Sequence, residues 1–411
     1  IDKAQVQAAL CAESLAEEMR HCVQPDHGHH TPSLKQVIYF GGEAPEDLLQ
    51  RMAKHATPFA AHPTSRDDVC VIAFTSGTTG NPKGTMHFHR DVLAMCDLFP
   101  RHVLKMTQDD VVCGTPPIAF TFGLGGLLAF ALRHGATTVL IEKHTPQTLL
   151  ETIAKYGATQ CYTAPTFYRQ MAALASSHNL QTLRHPVSAG EALPDATRQL
   201  WKQATGQDIT DGIGGTEMIH IYIASGGEHV RRGSIGQVVP GYTAQIVDDD
   251  MQPVPPGTVG RLAVRGPTGC KYLDDPRQQD YVQAGWNLPG DTFVMDSDGY
   301  FSYQARNDDM IISAGYNIAG PEVESALLLH PAVAECGVVG MPDTERGQIV
   351  QAFVVLKPGH TGDAAMVNAL QEHVKQAIAP FKYPRQVVFI DNLPRTETGK
   401  LQRFRLRQIS T

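Results

Sequence analysis

The organisation of this chain is set by a strand-like run that leads into a glycine-rich loop, Val69-Cys70-Val71-Ile72-Ala73-Phe74-Thr75-Ser76-Gly77-Thr78-Thr79-Gly80-Asn81-Pro82-Lys83-Gly84. Glycines let a backbone turn tightly and direct successive N–H groups at an anion. Hydroxyl side chains add hydrogen-bond donors, and Lys83 adds a positive charge. These features predict a phosphate-binding loop with a strand before it and a helix after it. The loop lacks the Gly-Lys-Ser/Thr ending of a Walker A motif, which argues against an ordinary P-loop NTPase.

The composition predicts a folded protein of two or three domains. The 411 residues include 34 Lys and Arg against 42 Asp and Glu, so the formal net charge is −8. This acidity argues against a nucleic-acid partner, which usually requires a basic surface. The longest apolar stretch, residues 118–132, is too short to cross a bilayer, so we expect no membrane partner. The eight cysteines form no C-x-x-C pair and fit reduced thiols, which favours a cytoplasmic location.

Short β-branched runs alternate with amphipathic segments, and this alternation predicts an α/β fold. Strand candidates in the first part are residues 37–40, 69–74, 110–113, 137–141, 160–163 and 186–189, and helix candidates are 148–156 and 165–175. Such an order is typical of a largely parallel sheet covered by helices. Later strands at 234–237, 243–247, 260–264 and 292–295 are separated by turn clusters and predict an antiparallel sheet. Strands at 335–339 and 351–356 with helices at 321–329 and 364–379 predict a compact C-terminal unit.

We therefore predict three parts. Residues 1–225 form a large α/β core, residues 226–306 a small antiparallel β subdomain, and residues 307–411 a small α+β C-terminal domain. The chain starts at Ile1, without a Met and close to the first predicted strand, so we expect the core to be incomplete at its N-terminus.

Further motifs follow the phosphate loop in a fixed order. They are Gly190-Glu191-Ala192-Leu193, Asp211-Gly212-Ile213-Gly214-Gly215-Thr216-Glu217, Gly290-Asp291, Arg306-Asn307-Asp308-Asp309 with Ser313-Ala314-Gly315-Tyr316-Asn317, and Pro394-Arg395-Thr396-Glu397-Thr398-Gly399-Lys400. Together with the loop, they resemble the adenylate-forming superfamily of acyl-CoA synthetases, nonribosomal adenylation domains and luciferases. The resemblance covers nearly the whole chain. It implies an AMP-forming acid–thiol ligase that couples a carboxylic acid to ATP, releases pyrophosphate and passes the acyl group to a thiol.

The resemblance also implies where ATP binds. The phosphate loop would hold the β- and γ-phosphates through Thr75, Ser76, Gly77, Thr78, Thr79 and Lys83. Adenine would lie between the loop Gly190, Glu191, Ala192 and the side chain of Ile213, with Asp211 near the edge of its ring. Asp291 would accept hydrogen bonds from the ribose hydroxyls, and Arg306 would bind ribose or phosphate oxygens.

The catalytic residues implied by the resemblance lie on two different parts of the chain. Thr216 would donate its hydroxyl to the α-phosphate, and Glu217 would hold Mg²⁺, a cation that prefers carboxylate and phosphate oxygens. Lys400 would offset the negative charge between the carboxylate and the α-phosphate. The C-terminal domain would then rotate about a hinge at Asp308, withdraw Lys400 and place Gly315 beside the pantetheine of CoA.

The nearest resemblance is to aryl-CoA ligases of the benzoate and 2-aminobenzoate type, so the expected partners are ATP, CoA and a small aromatic carboxylate. By that match the acyl pocket includes Thr121, Phe122, Gly214, His220 and Ile221. At this position the sequence of benzoate enzymes is similar to Phe-Ala-Tyr-Gly, whereas this chain has Phe120-Thr121-Phe122-Gly123. Because the pocket loses a tyrosine hydroxyl and gains a threonine hydroxyl, 2-aminobenzoate is favoured over benzoate. A satisfied core histidine is the alternative interpretation of His220.

Other functions stay open at this point. One is an adenylation enzyme that loads a carrier protein, although nothing in the sequence resembles a fused carrier domain with its serine. Another is a nucleotide-binding fragment without turnover. The tract His27-Gly28-His29-His30 has metal-binding side chains, but a solvated loop is the simpler interpretation. The sequence leaves the oligomeric state undecided, a homodimer included.

Overall fold

The computed structural model of the chain describes residues 1–23, 31–44, 47–55, 57–75, 82–306, 309–396 and 400–409. The fold is mixed α/β, as the sequence predicts, and the described residues form sheets of seven, six and five strands as well as two strand pairs. Within these residues, no helix has both the length and the apolar character needed to span a bilayer.

The first hundred residues contain the two strand pairs. The element bounds are β1 Ala8–Ala12, α1 Ala16–Val23, β2 Gln36–Phe40, α2 Leu48–Ala53, β3 Val69–Phe74, β4 Gly84–Phe88 and α3 His89–His102. Strands β1 and β2 are parallel, whereas β3 and β4 are antiparallel. The prediction of a helix directly after the phosphate loop is therefore wrong. Strand β4 comes first, because it pairs with β3 and buries Thr85 and His87.

The seven-stranded sheet occupies the middle of the chain. Its strands and the accompanying helices are β5 Val111–Gly114, α4 Thr121–Gly123, α5 Phe130–His134, β6 Thr137–Thr138, α6 Pro146–Tyr156, β7 Gln160–Thr163, α7 Pro165–Ala172, β8 His185–Ser188, α8 Asp195–Thr205, β9 Thr210–Gly214, β10 Ile221–Ser225 and β11 Gln237–Val238. A π-helical turn, Leu124–Ala129, joins α4 to α5. The strand order is β11-β10-β9-β8-β7-β5-β6. Strands β5 to β9 pair in parallel, and β10 and β11 are antiparallel additions at one edge.

An antiparallel sheet follows, as predicted. Its elements are β12 Thr243–Val247, β13 Val259–Arg265, α9 Gln278–Tyr281, β14 Val282–Gln283, β15 Trp286–Asn287, β16 Asp291–Met295 and β17 Phe301–Arg306. The strand predicted at 234–237 is wrong for most of its length, since Gly236 forms an isolated bridge to Phe301 and a strand begins only at Gln237, as β11 of the preceding sheet.

The C-terminal part forms a five-stranded sheet with helices. Its elements are β18 Ile311–Ser313, β19 Tyr316–Ile318, α10 Gly320–Leu327, β20 Val333–Asp343, β21 Gly347–Leu356, α11 Ala364–Ala377, β22 Gln386–Phe389 and α12 Arg403–Leu406. Strands β20 and β21 form its long central hairpin, and β22 adds in parallel beside β21. Buried residues of β20, β21, α10 and α11 pack into a core of their own.

Helix α6 illustrates how local sequence sets an element that the tertiary core then stabilises. The Thr145 side chain accepts a hydrogen bond from the Thr148 N–H, and Gly157 ends the helix with a φ of +63°. The face carrying Leu149 and Ile153 is fully buried and belongs to a core that includes Trp201 of α8.

Leu149→Ala is expected to lower the free energy of unfolding by about 2–5 kcal/mol, because it leaves a cavity in that core. The same substitution at Leu132, whose surface is 75% exposed, should change it by less than about 0.5 kcal/mol. Chemical denaturation followed by circular dichroism measures both variants. Equal effects of the two substitutions would contradict the core assignment.

Candidate active site

Two adjoining cavities lie between the first 306 residues and the C-terminal part. The polar cavity, of about 320 Å³, has charged side chains on its walls, among them Asp291, Arg306 and Arg403. The aromatic cavity, of about 610 Å³, is lined by Phe74, Phe120, Phe122 and Phe167 among others. Gly190, Glu191, Gly214 and Lys400 line both cavities, so these residues mark the junction between them.

The carboxyl ends of neighbouring parallel strands create this junction. Strands β7, β8 and β9 end at Thr163, Ser188 and Gly214, and the residues that follow each strand reach the cavities. Because parallel strands present their carboxyl ends at one edge of a sheet, segments far apart in sequence meet there.

Most of the predicted site residues are brought to these cavities. The polar cavity contains Gly190, Glu191, Ala192, Ile213, Gly214, Asp291, Arg306 and Lys400. The aromatic cavity contains Thr121, Phe122, Gly214, Thr216, His220, Ile221 and Lys400. The predicted residues Ser76, Gly77, Thr78, Thr79 and Asp308, together with the tract 27–30, lie outside the described residues.

Lys400 projects from the C-terminal part against the Gly190 loop. A Cβ added at Gly190, whose φ is +92°, would lie 3.5 Å from Lys400 Cε. The lysine side chain is exposed to the cleft, but protein atoms on either side of the cleft displace much of the water around it. This desolvation lowers the pKa of Lys400. Glu191 opposes that effect and favours the charged form. The arrangement therefore places one ammonium group where both cavities meet.

Asp291 and Arg306 face each other across neighbouring strands. They are paired residues in the register of β16 and β17, which fixes their separation by the geometry of the sheet. Arg306 Nη2 also donates to the carbonyl oxygen of Pro289, at 3.4 Å. The polar cavity thus has a carboxylate acceptor beside a guanidinium donor.

Glu217 belongs to a cluster with Lys83 and Tyr272. The Tyr272 hydroxyl donates to Glu217 Oε1 at 2.6 Å, and Lys83 Nζ lies 3.4 Å from the same oxygen. The Lys83 ammonium also lies over the Tyr272 ring, 4.7 Å from its centroid. Burial and the neighbouring Glu217 charge raise the pKa of Tyr272, which keeps its hydroxyl a donor. Sequence reasoning missed Tyr272, because no motif surrounds it.

Two contacts hold the segments around this cluster. His87 Nε2 donates to the Thr216 carbonyl oxygen at 2.7 Å, from a fully buried position on β4. The base of the phosphate loop is closed by Thr75, whose N–H donates to the Lys83 carbonyl oxygen at 2.9 Å. Among the described residues, no three His, Cys, Asp or Glu side chains cluster as a metal site. Glu217 still suits Mg²⁺, which binds through one or two carboxylates plus phosphate oxygens.

Asp211 is not among the residues that line the two cavities. Its side chain is buried. The carboxylate oxygen Oδ2 lies 3.5 Å from Nη2 of Arg198, a residue of α8. Burial raises the pKa of Asp211 to about 6, and the Arg198 charge opposes this rise. An interior ion pair thus holds the carboxylate, and its place at the edge of adenine stays a prediction.

Gly315 also lies away from both cavities. It occupies the turn between β18 and β19 with a φ of +83°, and an added Cβ would meet no atom within 4 Å. In this conformation the turn is exposed to solvent.

His220 forms a polar edge within the aromatic cavity. Its ring is only 3% exposed and contacts the rings of Phe99, Phe122 and Phe130, with centroid distances of 4.6–5.8 Å. Among the described residues, neither ring nitrogen has a hydrogen-bond partner of normal geometry. Burial lowers the pKa of His220 to about 3, so the imidazole is neutral. Gly125 in the π-helical turn permits this packing, since an added Cβ would lie 2.7 Å from His220 Nε2.

The contacts that close the cleft were not predicted from the sequence. Arg169 on α7 donates to three carbonyl oxygens of the C-terminal part, those of Ala334 (3.1 Å), Val333 (3.4 Å) and Leu328 (3.5 Å). An arginine with no motif around it gives no sequence signal for such a role.

Two family models match the chain. The model of the AMP-binding enzyme family matches residues 1–272, and that of the AMP-binding enzyme C-terminal domain matches residues 322–400. Both matches include residues that line the two cavities.

Individual proteins are similar over most of the chain. The benzoate–CoA ligase of Thauera aromatica is 38% identical over 382 residues, 92% of this chain and 72% of that protein. The human mitochondrial acyl-coenzyme A synthetase ACSM3 is 37% identical over 374 residues, 88% of this chain and 64% of that protein. A crystal structure of the anthranilate CoA ligase AuaEII in complex with anthranoyl-AMP superposes with a TM-score of 0.91 at 35% identity, covering 99% of this chain and 78% of that one. The chain thus spans 64% to 78% of the length of these proteins.

The buried neutral His220 predicts a pH-dependent stability. Its pKa is about 3 in the fold against about 6.5 when unfolded, so its contribution is present above pH 6.5 and is lost as the pH falls below it. Between pH 7.5 and 5.5, the free energy of unfolding of the wild type should fall by about 1 kcal/mol more than that of His220→Phe. Urea unfolding at several pH values measures this difference.

The matched control is His229→Phe, at a histidine whose side chain is 68% exposed. It should show the same pH dependence as the wild type. Parallel curves for the wild type and His220→Phe would show that His220 is not held neutral.

Proposed function

The chain belongs to the AMP-binding enzyme family, and on that premise we propose that it is an ATP-dependent aryl-CoA ligase. The reaction joins an aromatic carboxylate to AMP with release of pyrophosphate, then transfers the aryl group to the thiol of CoA with release of AMP. The observation that carries the proposal is the position of Lys400, at the junction of a polar cavity and an aromatic cavity.

In the proposed first step, two anions have to approach each other. The carboxylate enters from the aromatic cavity and the α-phosphate from the polar cavity, so repulsion builds up at the junction. The Lys400 ammonium offsets this charge, and the Thr216 hydroxyl donates to the phosphate. Because protein surrounds Lys400, water screens its charge less than it would at the surface.

The polar cavity is proposed to hold the nucleoside. Asp291 accepts from the ribose hydroxyls, and Arg306 on the neighbouring strand binds ribose or phosphate oxygens. Adenine packs between the backbone of Gly190 to Ala192 and the aliphatic side chain of Ile213, which all line this cavity.

The phosphates beyond the junction are assigned to the phosphate loop, from Thr75 through Ser76, Gly77, Thr78 and Thr79 to Lys83. Glu217 is the proposed Mg²⁺ ligand. When bound, Mg²⁺ supplies positive charge against the phosphate oxygens. Tyr272 and Lys83 both contact Oε1 of Glu217, and these contacts orient the carboxylate.

For the second step we propose that residues 307–411 move as a C-terminal domain about Asp308, relative to a core of residues 1–225 and a β subdomain of residues 226–306. The exposed position of Gly315 supports this motion, since the turn can reach the cleft only if this part of the chain rotates. Withdrawal of Lys400 would then leave room for the CoA thiol. A cytoplasmic location and a homodimer stay predictions.

The proposed acid is 2-aminobenzoate, with benzoate as the alternative. The aromatic side chains of the second cavity suit a benzene ring. Neither nitrogen of the neutral His220 has a hydrogen-bond partner of normal geometry among the described residues, and Thr121 adds a hydroxyl, so a ring substituent can find hydrogen bonds there. The similarity to an anthranilate CoA ligase and to a benzoate–CoA ligase supports an acid of this class.

A panel of acids tests the reaction. With ATP, Mg²⁺ and CoA, pyrophosphate release should require an aryl acid, and kcat/KM for 2-aminobenzoate should exceed that for benzoate by about 10-fold. Benzoate, 2-aminobenzoate, 2-hydroxybenzoate and an aliphatic acid form the panel. No acid-dependent release with any aryl acid would reject the ligase, whereas a preference for benzoate would reject only the amino-specific assignment.

Lys400→Ala tests the role of the junction. Pyrophosphate release should fall by about 100-fold or more, because the substitution removes the charge that faces both anions. Thioester formation from supplied aryl-AMP and CoA should stay close to the wild-type rate. Lys155→Ala, at an exposed lysine of α6, is the control and should leave both half-reactions unchanged. Equal losses in both half-reactions of Lys400→Ala would contradict the proposed motion.

A further inference from the structure

We propose that Glu191 is a positioning residue that anchors the segment bearing Lys400 in the cleft. The proposal rests on the ligase function above, because it assigns a role in the adenylation step. The resemblance places Glu191 in the adenine-side loop, and the structure gives its carboxylate a different partner.

One carboxylate oxygen of Glu191 binds residues on both sides of Lys400. Glu191 Oε1 accepts from the Leu401 N–H at 2.8 Å and from Arg395 Nη1 at 3.3 Å. The other oxygen, Oε2, lies 3.5 Å from the Thr166 hydroxyl, which belongs to the core helix α7. Glu191 therefore connects the core to the C-terminal part through its side chain.

The two anchored residues form the paired base of the segment that carries the lysine. Arg395 and Leu401 are partners in an antiparallel β-bridge. Inside that bridge, the Thr396 N–H donates to the Lys400 carbonyl oxygen at 2.8 Å, and the Lys400 N–H donates to Thr396 Oγ1 at 3.1 Å. Fixing this bridge fixes the backbone of Lys400, so a displaced bridge would displace the ammonium as well.

The Glu191 carboxylate is largely removed from water, so its contacts with the C-terminal part stabilise the closed cleft in particular. Burial raises the pKa of Glu191, and the Arg395 charge and the Leu401 N–H oppose that rise. A desolvated carboxylate is costly unless donors meet it, and here part of its donor set comes from the C-terminal part. In a state where that part has moved away, these donors are lost and only water can replace them.

Arg395 is itself held in place by a second acid. Its Nη2 donates to Glu335 Oε2 on β20 at 2.8 Å, within the C-terminal part. A carboxylate on a strand thus helps to hold the guanidinium that reaches Glu191. Gly190 directly precedes Glu191 and lies against the Lys400 side chain, so the same loop contacts both the lysine and its neighbouring residues.

The test measures the two half-reactions separately in Glu191→Ala and Glu191→Gln. In Glu191→Ala, kcat for acid-dependent pyrophosphate release should fall by about 10- to 100-fold, because a shift of about 1 Å in a catalytic group costs this much. The KM for ATP should stay within about threefold, and thioester formation from supplied aryl-AMP within about twofold. Glu191→Gln should show a smaller loss, because its amide oxygen can still accept from the Leu401 N–H.

Two further variants sharpen the test. Arg395→Ala should also slow adenylation, and the double variant Glu191→Ala/Arg395→Ala should lose much less than the product of the single losses, because both residues act through one contact. The control Glu372→Gln makes the same carboxylate-to-amide change in an exposed ion pair with Lys375 and should change nothing. A raised KM for ATP at unchanged kcat would identify a nucleotide contact instead. Equal loss of both half-reactions, or no loss, would also overturn the proposal.

Amide hydrogen exchange provides a readout that does not depend on activity. The peptide containing Leu401 should exchange faster in Glu191→Ala than in the wild type, and Glu372→Gln should match the wild type. Unchanged exchange in Glu191→Ala would overturn the anchor. If the wild type releases no pyrophosphate with any acid, the ligase function fails, while exchange still decides whether Glu191 holds this segment.

Discussion

The ammonium group of Lys400 lies between two cavities, and in the proposed reaction each cavity holds an anion, the carboxylate in one and the α-phosphate in the other. Most of the site is arranged around this position. Lys400 belongs to the C-terminal part, whereas Gly190, Glu191 and Gly214, which line the same junction, come from the first 225 residues. Its placement lowers its pKa through loss of water, and the Glu191 carboxylate offsets that effect. The closed cleft is therefore held by polar contacts, through Glu191 and Arg169, that can be exchanged for water. Such contacts suit the opening of the cleft that we propose for the second step.

The core supplies the fixed half of this arrangement through its sheet. Strands β7, β8 and β9 are parallel neighbours, so the segments after Thr163, Ser188 and Gly214 converge at one edge. The antiparallel strands β16 and β17 add Asp291 and Arg306 from another direction as a cross-strand pair. The π-helical turn with Gly125 leaves room for the ring of His220 at the edge of the aromatic cavity. Strands thus hold Ile213, Asp291 and Arg306, whereas Lys400 arrives on a part proposed to move.

The fold class and the family resemblance could be predicted from the sequence, whereas several contacts in the site could not. The mixed α/β fold followed from periodicity, and the adenylate-forming resemblance followed from spaced motifs; both are confirmed by the matched family models and the similar structures. The ion pair of Asp211 with Arg198 was not predicted, because Arg198 comes from α8 and no local pattern indicates the contact. Tyr272 and Arg169 were missed for the same reason, since each acts through a residue more than 50 positions away.

The sequence by itself determined the order of motifs, the kinds of side chain present and hence the chemistry that they can perform. Glycine, hydroxyl, carboxylate and lysine groups have fixed donor and acceptor properties, and their spacing along the chain is visible without a structure. Only the tertiary structure decided which of them share a cavity, that Glu191 binds the segment bearing Lys400, and that His220 is neutral. These properties depend on burial and on contacts between distant segments, and desolvation has no counterpart in a linear pattern.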